Sequence, residues 1–342
     1  MYYFKKNSFI DLRIFNSNKA RGMLNAMFGL YYVDMNIRYL IDSNWMYYLL
    51  RANKIPDKNI LYLNSFKSYI HLIGKNIILP FQRSCFDILI MKLLFLVSLS
   101  TFIHDLHFLS NRTLLKKEFS IDKNKFHKFL LQKLKFFYYI FIIYISNYLY
   151  VDSKYVKRQI ISIFKMESSL VPLKRIFLRS DIISINQPNV NSRKYDYYIP
   201  LTELKYKGLW ALHKLVFENT TATVVLDSKF YDLASSILLR RNKYLNLLWE
   251  DLSHDSGLIE VLSNSKSTLC LSRYEGFGFV PHEARFFGSI PIVFNCSSFI
   301  EKPSDFFIKI NLSNNTVFVP DIRNITNLYN FNNYENNHII CI

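Results

Sequence analysis

The sequence predicts an α/β protein made of two parallel-sheet halves. Short apolar segments alternate with stretches of helical periodicity along most of the 342 residues, which is the pattern of consecutive βαβ units. A polar stretch rich in Asn and Ser, residues 184–196, interrupts the alternation and is typical of a linker. We therefore expect an N-terminal Rossmann-like domain over residues 1–185 and a C-terminal one over residues 195–342.

The N-terminal half begins with a β-rich segment at residues 9–15, a polar loop and a helix over residues 23–32 that Gly22 opens. Strand, glycine-containing loop and helix form the usual phosphate-binding entry of an open α/β sheet, although a simple turn explains the glycine equally well. Further strands are expected at residues 59–63, 76–79, 100–103 and 148–152, with helices over 85–97 and 125–145.

The C-terminal half repeats the alternation. Strands are expected at residues 197–201, 223–227, 245–249 and 267–271, and helices at 208–217, 230–239 and 258–262. Neither half contains an internal repeat or a low-complexity tract. Ligands of such sheets bind where the strands end, at their carboxyl edge, so the residues that follow strands are the first candidates for function.

Composition narrows the classes of partner. The net charge of +17 favours a phosphorylated substrate or an anionic membrane surface, while an AT-rich coding bias towards Lys, Asn and Ile explains it as well. No zinc spacing, RGF repeat or basic tail is present, so we expect no nucleic-acid partner. The four cysteines have no C-x-x-C spacing, and the N-terminus lacks an apolar signal region, which together predict a cytoplasmic, reduced protein.

The predicted helix at residues 125–145 is basic and amphipathic. Its apolar residues recur at spacings of three and four with lysines between them. Such a helix either rests on anionic lipid as a peripheral anchor or, as is commoner, packs one face on its own domain. The longest uncharged run, residues 136–151, is shorter than the roughly 20 residues of a spanning helix.

The stretch richest in chemistry is residues 272–283, which reads S-R-Y-E-G-F-G-F-V-P-H-E. Two of the chain's 8 glycines stand here with one residue between them, and glycine is needed where the backbone takes positive φ or approaches a ligand. Pro281 suits a first helical turn, so we predict a helix over residues 282–287. Glu283 would then lie in its first turn, and the loop would turn Glu275 towards the same pocket.

This stretch resembles the donor-binding motif of retaining glycosyltransferases of family 4, which have the GT-B fold of two Rossmann-like domains facing a cleft. The family pattern is E-G-F-G-x-x-x-x-E-A, followed by a small-residue turn and a hydrophobic strand. It is matched by Glu275, Gly276, Phe277, Gly278, Glu283, Ala284, Gly288 and residues 291–293. The alternative is an ordinary loop–helix–strand unit whose carboxylates only cap the helix.

The resemblance implies roles for individual residues. Glu283 would accept hydrogen bonds from the ribose hydroxyls of a nucleotide, while Glu275 and the backbone of residues 276–278 would hold the transferred sugar and the phosphates. In the strand-terminal sequence T-F-I-H-D-L, residues 101–106, His104 matches a histidine that lies at the donor sugar, and Gly22 matches a glycine of the first loop.

The phosphate-binding side departs from the family. Lys207, in Lys-Gly, matches the family's lysine, but Thr202 stands where the family has an arginine. Lys205 or Arg273 would then supply the second cation. Residues 147–153 resemble a strand-plus-serine segment of the N-terminal side, although Ser153 also reads as a plain helix N-cap.

The expected function is therefore that of a metal-independent hexosyltransferase that takes its sugar from a nucleotide-sugar donor. The resemblance implies transfer of a hexosyl or deoxyhexosyl group to a glycan or lipid-linked acceptor in polysaccharide biosynthesis, of the O-antigen, lipopolysaccharide or capsule type. No D-x-D pair is present, and no cofactor is expected because the nucleotide-sugar is a substrate. The alternative is a non-catalytic GT-B-like protein that binds a nucleotide or a partner.

Overall fold

The structure is a computed structural model that describes residues 4–15, 21–80, 86–104, 106, 126–177, 189–202, 207–252, 254–301, 307–311, 313, 315–325 and 339–341. The chain divides into two compact units, Met1–Ile176 and Phe177–Ile342. The predicted linker, residues 184–196, lies partly outside the described residues, and its last two residues already belong to a strand.

The first unit is an open sheet of seven parallel strands with helices between them. Its strands are β1 (Ser8–Asp11), β2 (Arg38–Ile41), β3 (Ile60–Tyr62), β4 (Asn76–Pro80), β5 (Ser98–Ile103), β6 (Tyr148–Val151) and β7 (Ser169–Leu170). Its helices are α1 (Arg21–Val33), α2 (Asn44–Ala52), α3 (Phe66–Ile70), α4 (Phe86–Leu93), α5 (Phe126–Ile145) and α6 (Lys154–Phe164). The strand order is β3-β2-β1-β4-β5-β6-β7.

Apolar side chains fill both faces of this sheet, as burial between two helical layers requires. On one face, residues of β1, β4 and β5 pack with the inner sides of α3, α4 and α5. On β2, Leu40 joins this cluster, whereas the neighbouring Tyr39 donates a hydrogen bond to the Met27 carbonyl of α1 over 2.9 Å. Because successive strand residues point to opposite faces, α1 covers the other side.

The strands of the second unit are β9 (Tyr195–Tyr198), β10 (Leu215–Phe217), β11 (Thr223–Asp227), β12 (Asn246–Glu250), β13 (Ser265–Cys270), β14 (Ile290–Phe294), β15 (Ile308–Ile310) and β16 (Val317–Val319). Six of them form a parallel sheet in the order β12-β11-β9-β13-β14-β15, and β10 pairs with β16 in a separate sheet. The helices of this unit are α7 (Tyr231–Leu238), α8 (Asp255–Asn264), α9 (Phe279–Phe286) and α10 (Ile322–Ile325). Two further short strands are β8 (Arg175–Phe177) and β17 (Ile339–Cys341).

Two halves with parallel sheets confirm the predicted fold class. Most predicted strands and helices occur within a few residues of their expected bounds. The strand β2 and the helix α2 were not predicted, because the turn between them is only two residues long and the segment shows no clear change of periodicity. Ser43 accepts a hydrogen bond from the Met46 N–H and so begins α2, as an N-cap does.

The prediction of a helix over residues 208–217 is wrong. The segment forms a turn, a short 3-10 helix at Leu212–Lys214 and the strand β10. Leu215 and Phe217 are buried with Val216 half-buried, and β10 pairs in parallel with β16. The apolar spacing fits a helix and a strand alike, and pairing with a partner about one hundred residues away decides the outcome.

In the part of the chain that the structure describes, no helix is both long enough and apolar enough to cross a bilayer.

Candidate functional site

The loop between β13 and α9 carries the glycine motif. It is fixed to the segment before β10, because the indole Nε1 of Trp210 donates to the Leu271 carbonyl over 2.9 Å and Lys207 forms an isolated antiparallel bridge with Ser272. Sequence spacing gives no hint that residues 207–210 run beside the motif. This pairing brings the lysine of one segment to the glutamate of the other.

Lys207 and Glu275 form an ion pair. The Lys207 Nζ lies 3.3 Å from Oε1 and 3.4 Å from Oε2 of Glu275. The side chains are 27% and 12% exposed, so the pair keeps one open side. A partly buried ammonium beside a carboxylate presents a cation for an anionic group and acceptor oxygens for hydroxyl groups at one place.

Gly278 fixes the path of the loop. Its φ is +78°, in the left-handed region that only glycine enters without cost. A Cβ atom there would lie 2.6 Å from two carbons of the Phe299 ring, which is far inside van der Waals contact. Glycine is therefore required both for the backbone angle and for the close approach of Phe299.

An aromatic cluster packs against the residues of the loop. The Phe277 ring stacks on His282 with centroids 5.0 Å apart and planes 18° apart, and His282 in turn meets Phe307 edge-on at 5.4 Å. Phe277 and His282 are buried. His282 thus packs as part of the core of the motif, which limits the movement of the glycines between these rings.

The position of Glu283 differs from the prediction. The helix α9 begins at Phe279, three residues earlier than the predicted helix over residues 282–287, with Gly278 as its N-cap. Glu283 therefore lies in the second turn rather than the first, and only Pro281 keeps its expected place in the first turn. The helix begins directly after Gly278, whose backbone is left-handed. The residue types that follow Gly278 do not reveal this start. Glu283 is buried.

Buried neighbours show where Glu283 lies. Burial raises the pKa of Tyr198 at the end of β9, and the nearby Asp227, Cys270 and Glu283 raise that pKa further. Burial likewise raises the pKa of the Cys270 thiol, together with Glu275 and Glu283. Both glutamates therefore lie at the carboxyl edge of the sheet, where β9 and β13 end, as the motif's place after a strand predicts.

The cysteines at this edge are structural. Cys296 donates from Sγ to the Ser272 carbonyl over 3.2 Å, and burial raises the pKa of its thiol to about 12. Because the thiolate is the reactive form, neither Cys296 nor the buried Cys270 is suited to act as a nucleophile at neutral pH. The site's chemistry rests on its carboxylates and cations.

A second cationic group lies next to the loop. The Arg273 guanidinium and the Lys214 ammonium each lie over the Trp210 ring, both 5.2 Å from its centroid. Arg273 is exposed and was predicted as a substitute for the missing arginine. Lys214 was missed, because the wrong helix prediction separated it from the motif. Lys205, the other predicted substitute, lies outside the described residues.

In the first unit, His104 is hydrogen-bonded to Asp152, an aspartate that the sequence pattern does not single out. Ile103 and Val151 are register partners of β5 and β6, so His104 and Asp152 follow adjacent strands directly. The His104 Nδ1 is hydrogen-bonded to the Asp152 carboxylate, whose side chain is fully buried while that of His104 is 13% exposed. A carboxylate at Nδ1 favours the tautomer that leaves Nε2 without a proton.

Two other predicted positions in this unit have structural descriptions. Gly22 lies in the first turn of α1, after residues outside the described ranges. Ser153 accepts a hydrogen bond from the Val156 N–H over 3.2 Å and caps α6, which confirms the plain N-cap interpretation. The Asp105 that follows His104 lies outside the described residues.

A buried ionic cluster follows β1 in the same unit. The Arg13 guanidinium lies 2.8 Å from the Asp11 carboxylate and 2.6 Å from that of Asp87, and the Tyr69 hydroxyl donates to Asp87 over 2.6 Å. Burial raises the pKa of Asp11 despite Arg13. Burial also acts to raise the pKa of Asp87, but the hydrogen bonds from Arg13 and Tyr69 bring it below its usual value.

Comparison with known proteins identifies the fold. No protein-family model matches the sequence, and no curated protein does. Among solved structures, a glycosyltransferase from Rickettsia africae is similar at 12% identity, with 91% of this chain and 86% of that chain covered and a TM-score of 0.52. HepE from Anabaena, solved in complex with UDP, aligns at 13% identity over 95% of this chain and 89% of its own, with a TM-score of 0.57.

The lipopolysaccharide outer core galactosyltransferase WaaB is a third similar structure, at 13% identity, 95% and 89% coverage and a TM-score of 0.51. Similarity over nearly the whole length of each chain, together with two parallel-sheet units, shows that the protein has the GT-B fold with two Rossmann-like domains. A fold by itself does not define a reaction, so function has to be argued from the residues of the site.

Proposed function

We propose that the protein is a retaining glycosyltransferase that uses a nucleotide-sugar donor. It transfers a hexosyl or deoxyhexosyl group to a glycan or lipid-linked acceptor in polysaccharide biosynthesis, such as that of O-antigen, lipopolysaccharide or capsule. The observation that carries the proposal is the Lys207–Glu275 pair on a glycine-fixed loop at the carboxyl edge of a GT-B sheet. The resemblance of residues 275–284 to the family 4 motif supports the same conclusion.

The cations suit the departure of a diphosphate. As the bond between sugar C1 and the phosphate oxygen breaks, negative charge grows on the phosphate, and a preorganised cation stabilises that charge in the transition state. Lys207 supplies this cation, with Arg273 as the second. The acceptor oxygen forms its bond to C1 on the face that the diphosphate leaves, and the acceptor's proton passes to the departing phosphate oxygen.

The carboxylates suit the polyol parts of the donor. Glu283 takes the two ribose hydroxyls of the nucleotide, and Glu275 takes hydroxyls of the transferred sugar, because a carboxylate accepts such hydrogen bonds strongly. The backbone of Gly276, Phe277 and Gly278 lies against the phosphates and the sugar. The donor is a substrate, and the reaction as proposed uses no metal ion and no cofactor.

The resemblance to family 4 assigns His104, in the N-terminal unit, to the donor sugar. With Asp152 at Nδ1, the Nε2 lone pair accepts a hydrogen bond from a hydroxyl of the donor sugar. Asp152 is then a positioning residue, because it sets the tautomer and the ring orientation of His104. Gly22, in the first turn of α1, allows the backbone to approach the same substrate closely.

The proposal is tested with purified protein, a labelled nucleotide-sugar and the matching acceptor. Glu275→Gln keeps the shape of the side chain but removes the charge that faces Lys207, and we expect transfer to fall by about tenfold or more, which corresponds to about 1.4 kcal/mol of transition-state stabilisation. Glu260→Gln, on the exposed side of α8, is the matched control and keeps the full rate. The anomeric configuration of the product, read by NMR, tests retention.

Equal rates for Glu275→Gln and Glu260→Gln with the true donor would remove Glu275 from the site. An inverted anomeric centre would leave a glycosyltransferase but refute the retaining mechanism.

A non-catalytic protein that binds a nucleotide or a partner is the second candidate. Thr202, which stands at the family's arginine position, is exposed, and a neutral hydroxyl stabilises a departing diphosphate less than a cation does. Calorimetric binding of a nucleoside diphosphate without any turnover of the corresponding nucleotide-sugar would favour this candidate over the enzyme.

A further inference from the structure

Three helices of the first unit lie side by side on one face of its sheet. Residues in or just after α3 (Tyr69, Leu72), in α4 (Ile88, Met91) and in α5 (Tyr138, Ile142) pack in a single apolar cluster with β1, β4 and β5. The Tyr69 hydroxyl bonds to Asp87 of α4, and Lys92 of α4 donates to Asn147, just beyond α5, over 2.7 Å. Their outer sides therefore face the same direction.

The outer sides of these helices are apolar. Each presents large hydrophobic side chains at helical spacings of three and four, so each forms a stripe on one helix face. The exposed members are Phe66, Ile70 and Ile73 in and after α3, Phe86, Ile90, Leu93, Leu94 and Phe95 in and after α4, and Leu134, Phe137, Phe141 and Tyr144 in α5. We call these residues the apolar platform.

The degree of exposure is unusual for a protein surface. Phe66, Phe86 and Phe95 are 84%, 78% and 92% exposed. Single exposed hydrophobic side chains are common, but contiguous apolar patches beyond a few hundred Å² mark interaction sites. Twelve large hydrophobic side chains on three adjacent helices far exceed scattered exposure.

Phe95 adds an independent sign of function. It occupies the C′ position after α4, since Leu96 N–H bonds to the Met91 carbonyl and Phe95 N–H to that of Lys92. Its φ is +58°, where glycine or asparagine is usual and a bulky residue is strained. The fold alone would favour glycine there. A nearly fully exposed phenylalanine in this conformation is better explained by what it contacts outside the chain.

The three helices that carry the platform are basic. Helices α3, α4 and α5 contain five lysines, no arginine and one carboxylate. That carboxylate, Asp87, is already bound by Arg13 and Tyr69. A second copy of the chain facing this platform would bring lysines against lysines, whereas an anionic surface would be attracted to them.

We propose that the apolar platform is the surface by which the protein docks on an anionic phospholipid bilayer. Phe66, Phe86 and Phe95 enter the boundary between headgroups and acyl chains, and the positive charge of the three helices attracts the anionic headgroups, as in interfacial helices. This inference rests on the proposed function only for the purpose of docking, which is to bring the protein to a lipid-linked acceptor. The docking itself requires no nucleotide-sugar.

The test is flotation of the full chain with vesicles, in the absence of any sugar nucleotide. Binding is expected to mixed phosphatidylcholine–phosphatidylglycerol vesicles, to weaken with added salt, and to be much weaker to phosphatidylcholine alone. Phe95→Asn removes one apolar anchor and should weaken binding by about tenfold, while its melting temperature stays equal or rises because asparagine tolerates the left-handed conformation. The triple variant Phe66→Ser/Phe86→Ser/Phe95→Asn should lose detectable binding.

Tyr48→Ser is the matched control, because Tyr48 is 69% exposed on α2, which contributes nothing to the cluster beneath the platform. It should bind vesicles like the unmodified protein. The proposal would be overturned if Phe95→Asn and the triple variant both bound vesicles as strongly as the unmodified protein does. It would also be overturned by stable self-association that these substitutions abolish, since the platform would then join two copies. Transfer to a water-soluble acceptor should survive in every variant, so loss of docking and failure of the transferase proposal are separate results.

Discussion

In the C-terminal unit the charged groups of the candidate site lie on one short loop and the segment paired with it, whereas the paired charged groups of the N-terminal unit come from segments far apart in sequence. Glu275, Gly278 and Glu283 lie within nine residues, held by an aromatic cluster. His104 and Asp152 are 48 residues apart, and Arg13 and Asp87 are 74 apart. The first arrangement depends on backbone conformation, and the second depends on sheet topology.

This difference predicts which substitutions destabilise each unit. The C-terminal loop should be sensitive to changes of backbone shape, and the N-terminal unit to the loss of a charge partner between strands. Matched substitutions in the two units separate these sensitivities.

Arg13→Met should destabilise the N-terminal unit by about 3–5 kcal/mol, because it leaves two carboxylates, one of them fully buried, without their shared cation. Arg51→Met is the control, since the Arg51–Asp57 pair at 3.4 Å is largely exposed and such pairs contribute about 0–1 kcal/mol. Urea denaturation measures both. A similar small change in the two variants would mean that the cluster is not what joins β1 to α4.

Gly278→Ala should destabilise the C-terminal unit by about 2–4 kcal/mol, since the methyl group collides with the Phe299 ring and the backbone is left-handed. Gly74 has nearly the same φ, +74°, but a Cβ atom at Gly74 would meet nothing within 4 Å. Gly74→Ala should therefore have only the conformational cost of about 1 kcal/mol. Thermal unfolding compares them. If Gly74→Ala costs as much as Gly278→Ala, the contact with Phe299 is not what requires the glycine.

Asp152→Asn should lower sugar transfer by about tenfold with little effect on unfolding, because an amide holds the His104 ring but no longer favours the same tautomer. The double variant His104→Ala/Asp152→Asn should be no slower than His104→Ala alone. Additive losses in the pair would show that Asp152 acts on something other than His104.

Phe95→Asn should stabilise the N-terminal unit by about 1 kcal/mol, because a strained left-handed phenylalanine is replaced by a residue that tolerates this conformation. Urea denaturation measures the gain, and Tyr48→Ser provides the baseline for removing an exposed aromatic ring. Destabilisation by Phe95→Asn would mean that the Phe95 ring packs on its own unit.

The same contrast explains what the sequence could predict. The E-G-F-G stretch was recognisable because its residues are contiguous, and the βαβ alternation follows from local periodicity. The partnership of Lys207 with Glu275 was not predictable, since it depends on the bridge to Ser272. The partnership of Asp152 with His104 was not predictable either, because it exists only when β5 and β6 are neighbours.

Two local errors have the same origin. Residues 208–217 have apolar spacings that fit a helix, and only pairing with β16 makes a strand of the last three. The start of α9 was placed three residues late because Pro281 suits any position in a first turn, while the left-handed Gly278 that begins the helix is a property of the folded loop. Tertiary contacts decided both cases.

Calorimetric titration of UDP, GDP and dTDP into the unmodified protein, Lys207→Met and Glu283→Gln tests most directly whether residues 275–283 form a nucleotide-sugar site. We expect one nucleotide to bind the unmodified protein and to raise its stability by about 2.7 kcal/mol at about 100 times its dissociation constant. Both substitutions should weaken that binding by about tenfold or more. If no nucleotide binds, or if binding is the same in all three proteins, the loop at residues 275–283 is not a nucleotide-sugar site.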